Sequence, residues 1–274
     1  MPVKDHSLCI QPDINENKKD DEIKIWRYMD FAQLVSLLEN EELFFTRADK
    51  LGDPYEGTIP EPHRKNRRES DEIPEKWGEK LLPRFRKICK KYTFLSCWHI
   101  NNSESAAMWD LYLDADHGVC IQSTYEKLKR ALNRDSNNRI HISKVEYIDF
   151  ESEKFDGWQP HEPLGSSISP FIHKRKNFDY EQELRAIIHD PSWREEDGES
   201  MITAETIENT SLDEESLPGN GRGVSIDVDT LIESIHISPD AGEWVRTLLK
   251  DIAPYFKLYD DVIADSPMGK EPGY

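Results

Sequence analysis

Apolar and polar residues alternate with a period of two in short runs along the chain, and between these runs the period lengthens to that of a helix. In IKIWRY, Ile23, Ile25 and Arg27 face one way and Lys24, Trp26 and Tyr28 the other, which predicts a strand. Asp30 followed by Gln33 makes a capping box ahead of FAQLVSLL, where Phe31, Leu34, Val35 and Leu38 form one helical face. LFFT (Leu43 to Thr46) predicts a second strand, and LGDPYEGTIP a turn-rich loop with Asp53 capping and Gly57 at positive φ. A charged helical excursion from Glu61 to Lys91 carries a thin apolar stripe of Leu81, Phe85, Ile88 and Tyr92. YTFLSCWH predicts a strand with Tyr92, Phe94, Ser96 and Trp98 on one face, followed by a short helix in SESAAMWDLY. HGVCIQ is a further strand, and TYEKLKRAL a helix capped by Thr124. IHISKVEYIDF alternates with a bulge between Ile142 and Val145. FIHKRKNFDYEQ reads as a basic helix and turn. ELRAIIH is a strand with Leu184, Ala186 and Ile188 inward and Glu183 and Arg185 on the other face. GVSIDV and SIHISP are strands, and a last helix presents Trp244, Val245, Leu248, Leu249 and Ile252 on one side.

These strands lack the continuous apolar runs of a doubly wound parallel sheet. The expected fold is therefore α+β, one domain over residues 23–264 with a mainly antiparallel, bent sheet and flanking helices. Residues 1–22 and 265–274 read as tails. Glu195 to Glu215 holds nine carboxylates and no Lys or Arg, so 194–220 reads as a mobile, solvated insertion. Neither GxGxxG nor GxxxxGK[ST] occurs, which disfavours Rossmann and P-loop nucleotide sites. A net charge of −19 argues against bulk nucleic-acid binding, because duplex binders neutralise phosphates with Lys and Arg. The four cysteines (Cys9, Cys89, Cys97, Cys120) form no CxxC pair, and no run approaches the roughly 18 apolar residues of a membrane span. A cytoplasmic setting without membrane contact is the expectation, and the histidines show no HxxxH or HExxH pattern for a metal.

Several phrases together carry a resemblance: WRYMDF, LFFTRADKLGDPYEG, FLSCWHINNSESAAMWDLY, HGVCIQ and FDYEQELRAII. As a set they resemble the bacterial domain-of-unknown-function family twenty-nine seventy-one, which brings no activity with it. A second resemblance lies in the order of one constellation. Arg27, then Ser96, then Glu181 and Glu183, each near a strand end, look like the Arg–Ser–Glu class of ADP-ribosyltransferases. That resemblance implies NAD as substrate, with Glu183 the catalytic carboxylate that stabilises an oxocarbenium-like cation. It also implies Arg27 as the phosphate contact, Ser96 as the group orienting the carboxylate, and Glu181 as the residue preparing an acceptor. The implied activity is ADP-ribosyl transfer or NAD hydrolysis of a stress or phage-defence type. Ser96-Cys97-Trp98 replaces the class's Ser-Thr-Ser run, and Arg185 shares a face with Glu183.

Tyr28, Trp98, Trp109 and Glu104 complete the expected pocket, the rings stacking a nucleobase or nicotinamide and Glu104 pairing with Arg27 or Arg185. The competing reading makes the same residues a structural ion-pair network in a non-catalytic nucleotide- or partner-binding module, whose protein partner the sequence does not name. Under the enzyme reading the Glu183 carboxylate must be reachable by solvent and within one ligand's width of Arg27. Cys97 with His99 offers a weaker thiol-nucleophile reading, and Cys97 reads better as core. Asp53, Glu56 and the basic run His173 to Lys176 remain open between turn or surface roles and contacts to an anionic ligand.

Overall fold

The computed structural model describes residues 3–5, 23–68, 80–112, 117–155, 168–190, 192, 203–258 and 262–269. Its strands are β1 (Val3–Asp5), β2 (Lys24–Asp30), β3 (Glu42–Arg47), β4 (Thr93–Ile100), β5 (Gly118–Thr124), β6 (Ile140–Lys144), β7 (Glu146–Ile148), β8 (His173–Arg175), β9 (Glu183–His189), β10 (Gly221–Ser225), β11 (Ser234–Ile237) and β12 (Ile263–Asp265). The helices are α1 (Phe31–Asn40), α2 (Glu61–Arg68), α3 (Leu82–Lys91), α4 (Ala106–Tyr112), α5 (Tyr125–Leu132), α6 (Ala204–Asn209), α7 (Val228–Leu231) and α8 (Glu243–Ile252). The main sheet runs β1-β6-β9-β4-β2-β5-β11-β12, with β3 paired to β4 and β10 to β3. Its pairs are antiparallel except β1 with β6 and β11 with β12. The fold is α+β with a mainly antiparallel mixed sheet, as the alternating strands predict.

Both faces of the sheet are covered. On one face Ile25, Met29, Phe94, Trp98, Leu184, Ala186 and Ile188 pack with Leu34 and Leu38 of α1, Leu128 and Leu132 of α5, Leu231 of α7 and Leu249 of α8. The other face is covered in two parts. Leu95 and Ile187 lie under Phe85 and Ile88 of α3 and Ile207 of α6, whereas Trp26, Tyr28 and Cys120 lie under Met108 and Trp109 of α4. Side chains of one strand alternate between faces, so Cys97, His99, Glu183 and Arg185 project into the seam between those two apolar clusters.

Strand β4 is where the sheet forks. One edge pairs with β9 from Thr93 to His99, while the other is shared by β2 at His99 and Ile100 and by β3 at Phe94 and Leu95. Arg27 fills the fork. Its guanidinium donates to Ser96 Oγ and, at 3.0 Å, to the Phe44 carbonyl, and lies 5.8 Å from the centre of the Trp98 ring. Replacing Arg27 with Leu takes this donor from the Phe44 carbonyl and leaves Ser96 Oγ with Trp98 Nε1 alone, and the expected cost is about 1–3 kcal/mol of stability, read by urea denaturation. A cost below about 0.5 kcal/mol would mean that water serves these acceptors equally well.

Local signals hold where they are local. Asp30 and Gln33 form the reciprocal capping box of α1, Thr124 caps α5, and Gly57 has φ 67°. Three readings change. FIHKRKNFDYEQ is not a helix: β8 pairs with β7, and short 3-10 turns flank it, because Lys174 is drawn inward by two carboxylates. The acidic stretch from Thr203 to Asn220 is built into the fold, while 194–202 lies outside the described residues. Ile207 is buried against α3, and Glu214 pairs with Arg47 at 2.8 Å and Lys91 at 3.1 Å, cations that lie far away in sequence. At the ends, Val3–Asp5 pairs with β6, and Asp265 meets Arg246 at 2.7 Å; residues 1–2, 6–22 and 270–274 lie outside the described residues. No described helix is long and apolar enough to cross a membrane.

Candidate functional site

The groups read from the sequence as one site fall into three places. Ser96 pairs with Ala186 and shares its face with Phe94, Trp98 and Arg27. Glu183 pairs with His99 and projects from the opposite face. The side-chain period of a strand is two, so no rotamer brings the Ser96 hydroxyl to the Glu183 carboxylate through the sheet. Glu183 is also only 3% exposed. The expected Arg27–Ser96–Glu183 triad is therefore not assembled, and Arg27 and Ser96 serve the fork.

The aromatic residues expected to stack a ring are themselves packed. Trp98 is 1% exposed and donates to Ser96 Oγ at 3.2 Å, and Trp109 donates to Glu104 Oε2 at 2.9 Å. Tyr28 meets the Trp109 ring edge-on at 4.9 Å, and its hydroxyl accepts from the Ser105 amide at 2.8 Å. Glu104 bonds neither Arg27 nor Arg185. Its acceptors are filled by Trp109, His236 and Ser266.

In the seam a chain of acidic and basic side chains alternates: Glu56, Arg185, Glu183, Lys174, Glu181. Arg185 reaches Glu56 Oε1 at 2.5 Å and Oε2 at 3.0 Å, Glu183 Oε2 at 2.5 Å and the Phe171 carbonyl at 2.8 Å. Lys174 Nζ donates to Glu183 Oε1 at 2.7 Å and to Glu181 Oε2. All five residues are buried. Two backbone features make the arrangement. Gly57 turns the chain just after Glu56 at positive φ, where an added Cβ would meet the Phe171 ring at 2.6 Å. Gln182 takes the left-handed conformation at φ 39°, which swings Glu181 and Glu183 onto the same ammonium.

The environments of the two glutamates push their proton affinities apart. Burial would raise Glu183, but the charge of Arg185, hydrogen bonds from Glu181 and Arg185, and Lys174 outweigh it and hold the carboxyl well below the usual range. Glu181 is pushed up to about 8, first by burial and then by its hydrogen bond to Glu183 and that group's charge, with Lys174 opposing. Near neutral pH one carboxyl is thus ionised and its neighbour holds a proton. His99 stands beside them. Its Nδ1 donates to the Glu181 carbonyl at 2.7 Å, which leaves the lone pair on Nε2, and that buried nitrogen has no partner among the described residues. Burial lowers the His99 pKa, and the bond to Glu181 only partly offsets this, so the ring is neutral. Cys97 lines the same cleft with its thiol pushed up by burial and by Glu183, and it is not an activated nucleophile.

The cleft between these groups is lined by Trp26, Tyr28, Cys97, Trp98, His99, Met108, Tyr112, Glu181 and Glu183, and its cavity of about 20 Å³ has room for one water molecule. Tyr112, 47% exposed at the last turn of α4, is its most exposed lining residue. Lys174 and His99 are the residues that the sequence reading missed. Lys174 stood within a basic run left open between contacting an anionic ligand and balancing the acidic insertion, and His99 was weighed only as the partner of Cys97.

No curated protein and no solved structure matches the chain. Residues 108–186 match the profile of a family described as protein of unknown function, DUF2971, a span that runs from Met108 of α4 through Lys174, Glu181, Glu183 and Arg185, and leaves out Arg27, Ser96 and His99. Over residues 108–186 the chain is thus similar to the DUF2971 family.

Proposed function

We propose that the cleft is an acid–base site that cleaves a small nucleotide-like ligand, with NAD as the candidate substrate. One observation carries the reading: a neutral histidine with a bare, buried Nε2 faces the same cleft as a carboxyl that keeps its proton near neutral pH. His99 Nε2 takes the proton of an attacking water or acceptor hydroxyl, nicotinamide leaves as the neutral base with the electrons of its bond to the ribose, and protonated Glu181 donates a hydrogen bond to the ligand. Glu183, fixed by Arg185 and Lys174, sustains the proton affinity of Glu181 and opposes the positive charge that develops at a ribose carbon. Ser96 and Arg27 have no part in it, so NAD cleavage here means carboxylate-assisted release of nicotinamide to water or to an acceptor. A ligand enters when Tyr112 swings outward, because the closed cleft holds only a water molecule.

A second reading is favoured by the balance of the network. Five buried groups alternate in sign and each is paired, which is what a purely structural ion cluster requires. The two readings separate in one experiment, release of nicotinamide from NAD by the purified protein beside Glu181→Gln and His99→Asn. The asparagine retains a donor for the Glu181 carbonyl and deletes Nε2. Under the catalytic reading both variants lose release by about 100-fold or more while melting within a few degrees of the parent. Absence of release together with no NAD-induced rise in melting temperature leaves the structural reading.

A further inference from the structure

On the same face of the sheet, across Trp26 from the cleft, β11 carries Ser234 and His236. Residues two apart on a strand share a face, and here their side chains meet: Ser234 Oγ lies 2.9 Å from His236 Nε2. The other ring nitrogen, Nδ1, lies 2.6 Å from Glu104 Oε1. Glu104 is 5% exposed, and its second oxygen accepts from Trp109 Nε1 at 2.9 Å and Ser266 Oγ at 2.6 Å. Burial disfavours its charge, yet the bonds from His236, Ser266 and Trp109 together lower its pKa and keep it ionised. An ionised carboxylate only accepts, so Nδ1 carries a proton, and in the neutral ring Nε2 then holds the lone pair. Ser234 is then the donor to Nε2, and the Trp26 ring stands edge-on to the imidazole at 5.2 Å. Ser234 and His236 are only partly buried, within reach of an incoming carbonyl.

We propose that Ser234, His236 and Glu104 form an acyl-transfer site that acts on carboxylic esters with a good leaving group. Ser234 is the nucleophile, His236 the general base, and Glu104 the residue that positions His236 and fixes its tautomer. Ser234 Oγ attacks the ester carbonyl carbon while its proton passes to His236 Nε2. The C–O bond to the alcohol breaks, the alkoxide takes that proton from His236, and the acyl group remains on Ser234. Water then gives a proton to Nε2 and attacks the acyl carbon, and Ser234 leaves as the alcohol with the carboxylic acid as product. Gln122 beside Ser234 explains the choice of leaving group. Its Oε1 accepts from Ser234 Oγ at 3.4 Å, a longer alternative to the 2.9 Å contact with His236, and its Nε2 already donates to Glu233 Oε1 at 3.1 Å, so it gives an oxyanion little help and amides are poor substrates.

The test is covalent labelling of the full chain with diisopropyl fluorophosphate at pH 8, read by intact mass and peptide mapping. The expected result is one adduct, on Ser234, and a one-equivalent burst of p-nitrophenol from p-nitrophenyl acetate. Ser234→Ala removes both, and His236→Gln slows labelling by about 100-fold or more. Glu104→Gln slows it comparably and moves the midpoint of its pH profile, which a merely structural residue would leave in place. Among the described residues Tyr28 and Cys120 are titratable groups that feel the charge of Glu104, and Glu233 and Lys127, paired with each other at 3.0 Å, lie beside Gln122. If Glu104→Gln does not fold, the two β11 variants still decide the matter. No adduct on Ser234 in the folded protein, or an adduct formed as fast without His236, overturns the proposal and makes the cluster a polar clasp between β11, α4 and the segment after β12. Ser234→Ala leaves nicotinamide release unchanged, so failure of either site is read separately.

Discussion

Substituting Met for Arg185 is expected to remove about 3–5 kcal/mol of folding stability, the largest loss from any single substitution considered for this protein. Among the described residues the guanidinium is the sole cation bonded to Glu56 and one of two bonded to Glu183, and it sits with both deep in the seam. A methionine of similar length fills the space but leaves buried Glu56 without a cation and buried Glu183 with Lys174 alone. Each must then protonate or draw in water, and both cost free energy. A domain of ordinary stability has roughly 5–15 kcal/mol in total, so the variant should be marginal at 37 °C. Glu56→Gln in the Arg185→Met background removes one of the stranded charges and should restore part of the loss. The double change is therefore less damaging than the sum of the singles. Urea unfolding of the four proteins measures this directly, and a loss below about 1 kcal/mol for Arg185→Met would show that water already solvates the cluster.

Between pH 6.5 and 8 the protein should lose stability as pH rises, and Glu181→Gln should flatten that slope. The sign follows from proton counting. Glu181 holds its proton up to about 8 in the folded chain, whereas in the unfolded chain it titrates near 4.5. Between these values unfolding releases a proton, so base favours unfolding. The contribution is fully present below about pH 4.5 and is lost as pH climbs through about 8, with a slope of at most about 1.4 kcal/mol per pH unit. His99 acts in the other direction, since its folded pKa is lowered and its stability is lost as pH falls below the imidazole range. The depressed carboxyls of Glu183 and Glu104 lose theirs in stronger acid still. The window above 6.5 thus isolates Glu181. Glutamine imitates the protonated acid, so the variant should match the parent only near pH 4.5 and below, and its excess stability should grow from pH 6 to pH 8. Parallel profiles would mean that Glu181 is ionised throughout.

Much of the fold was legible because its signals are short-range. The alternation in ELRAIIH, the Asp30–Gln33 box and the Thr124 cap each involve residues within one turn or one strand, and each stands as read. The site was less legible because it depends on register between distant strands. TFLSCWHI is apolar at both parities, so β4 alone does not say which face holds chemistry. One comparison was nonetheless available. Ser96 shares parity with Phe94 and Trp98, and Glu183 opposes Leu184 and Ala186, so merging the two apolar faces into one core already separates Ser96 from Glu183. The Ser234–His236–Glu104 cluster had no such clue. SIHISP reads as an ordinary strand, and its carboxylate lies more than a hundred residues earlier, brought near only because β11 pairs with β5 beside α4.

Helix α4 belongs to both places at once. Met108 and Tyr112 wall the cleft, and Trp109, between them on the same two turns, holds the oxygen of Glu104. A ligand that enters the cleft by displacing this helix must therefore stretch the Trp109–Glu104 bond and loosen the imidazole that Glu104 orients. Thermodynamic linkage makes the effect reciprocal: whatever tightens Glu104 on His236 makes the cleft harder to open, by the same free energy and in the opposite sense. Seven residues of helix thus tie the opening of the cleft and the orientation of His236 to one position of a single lever.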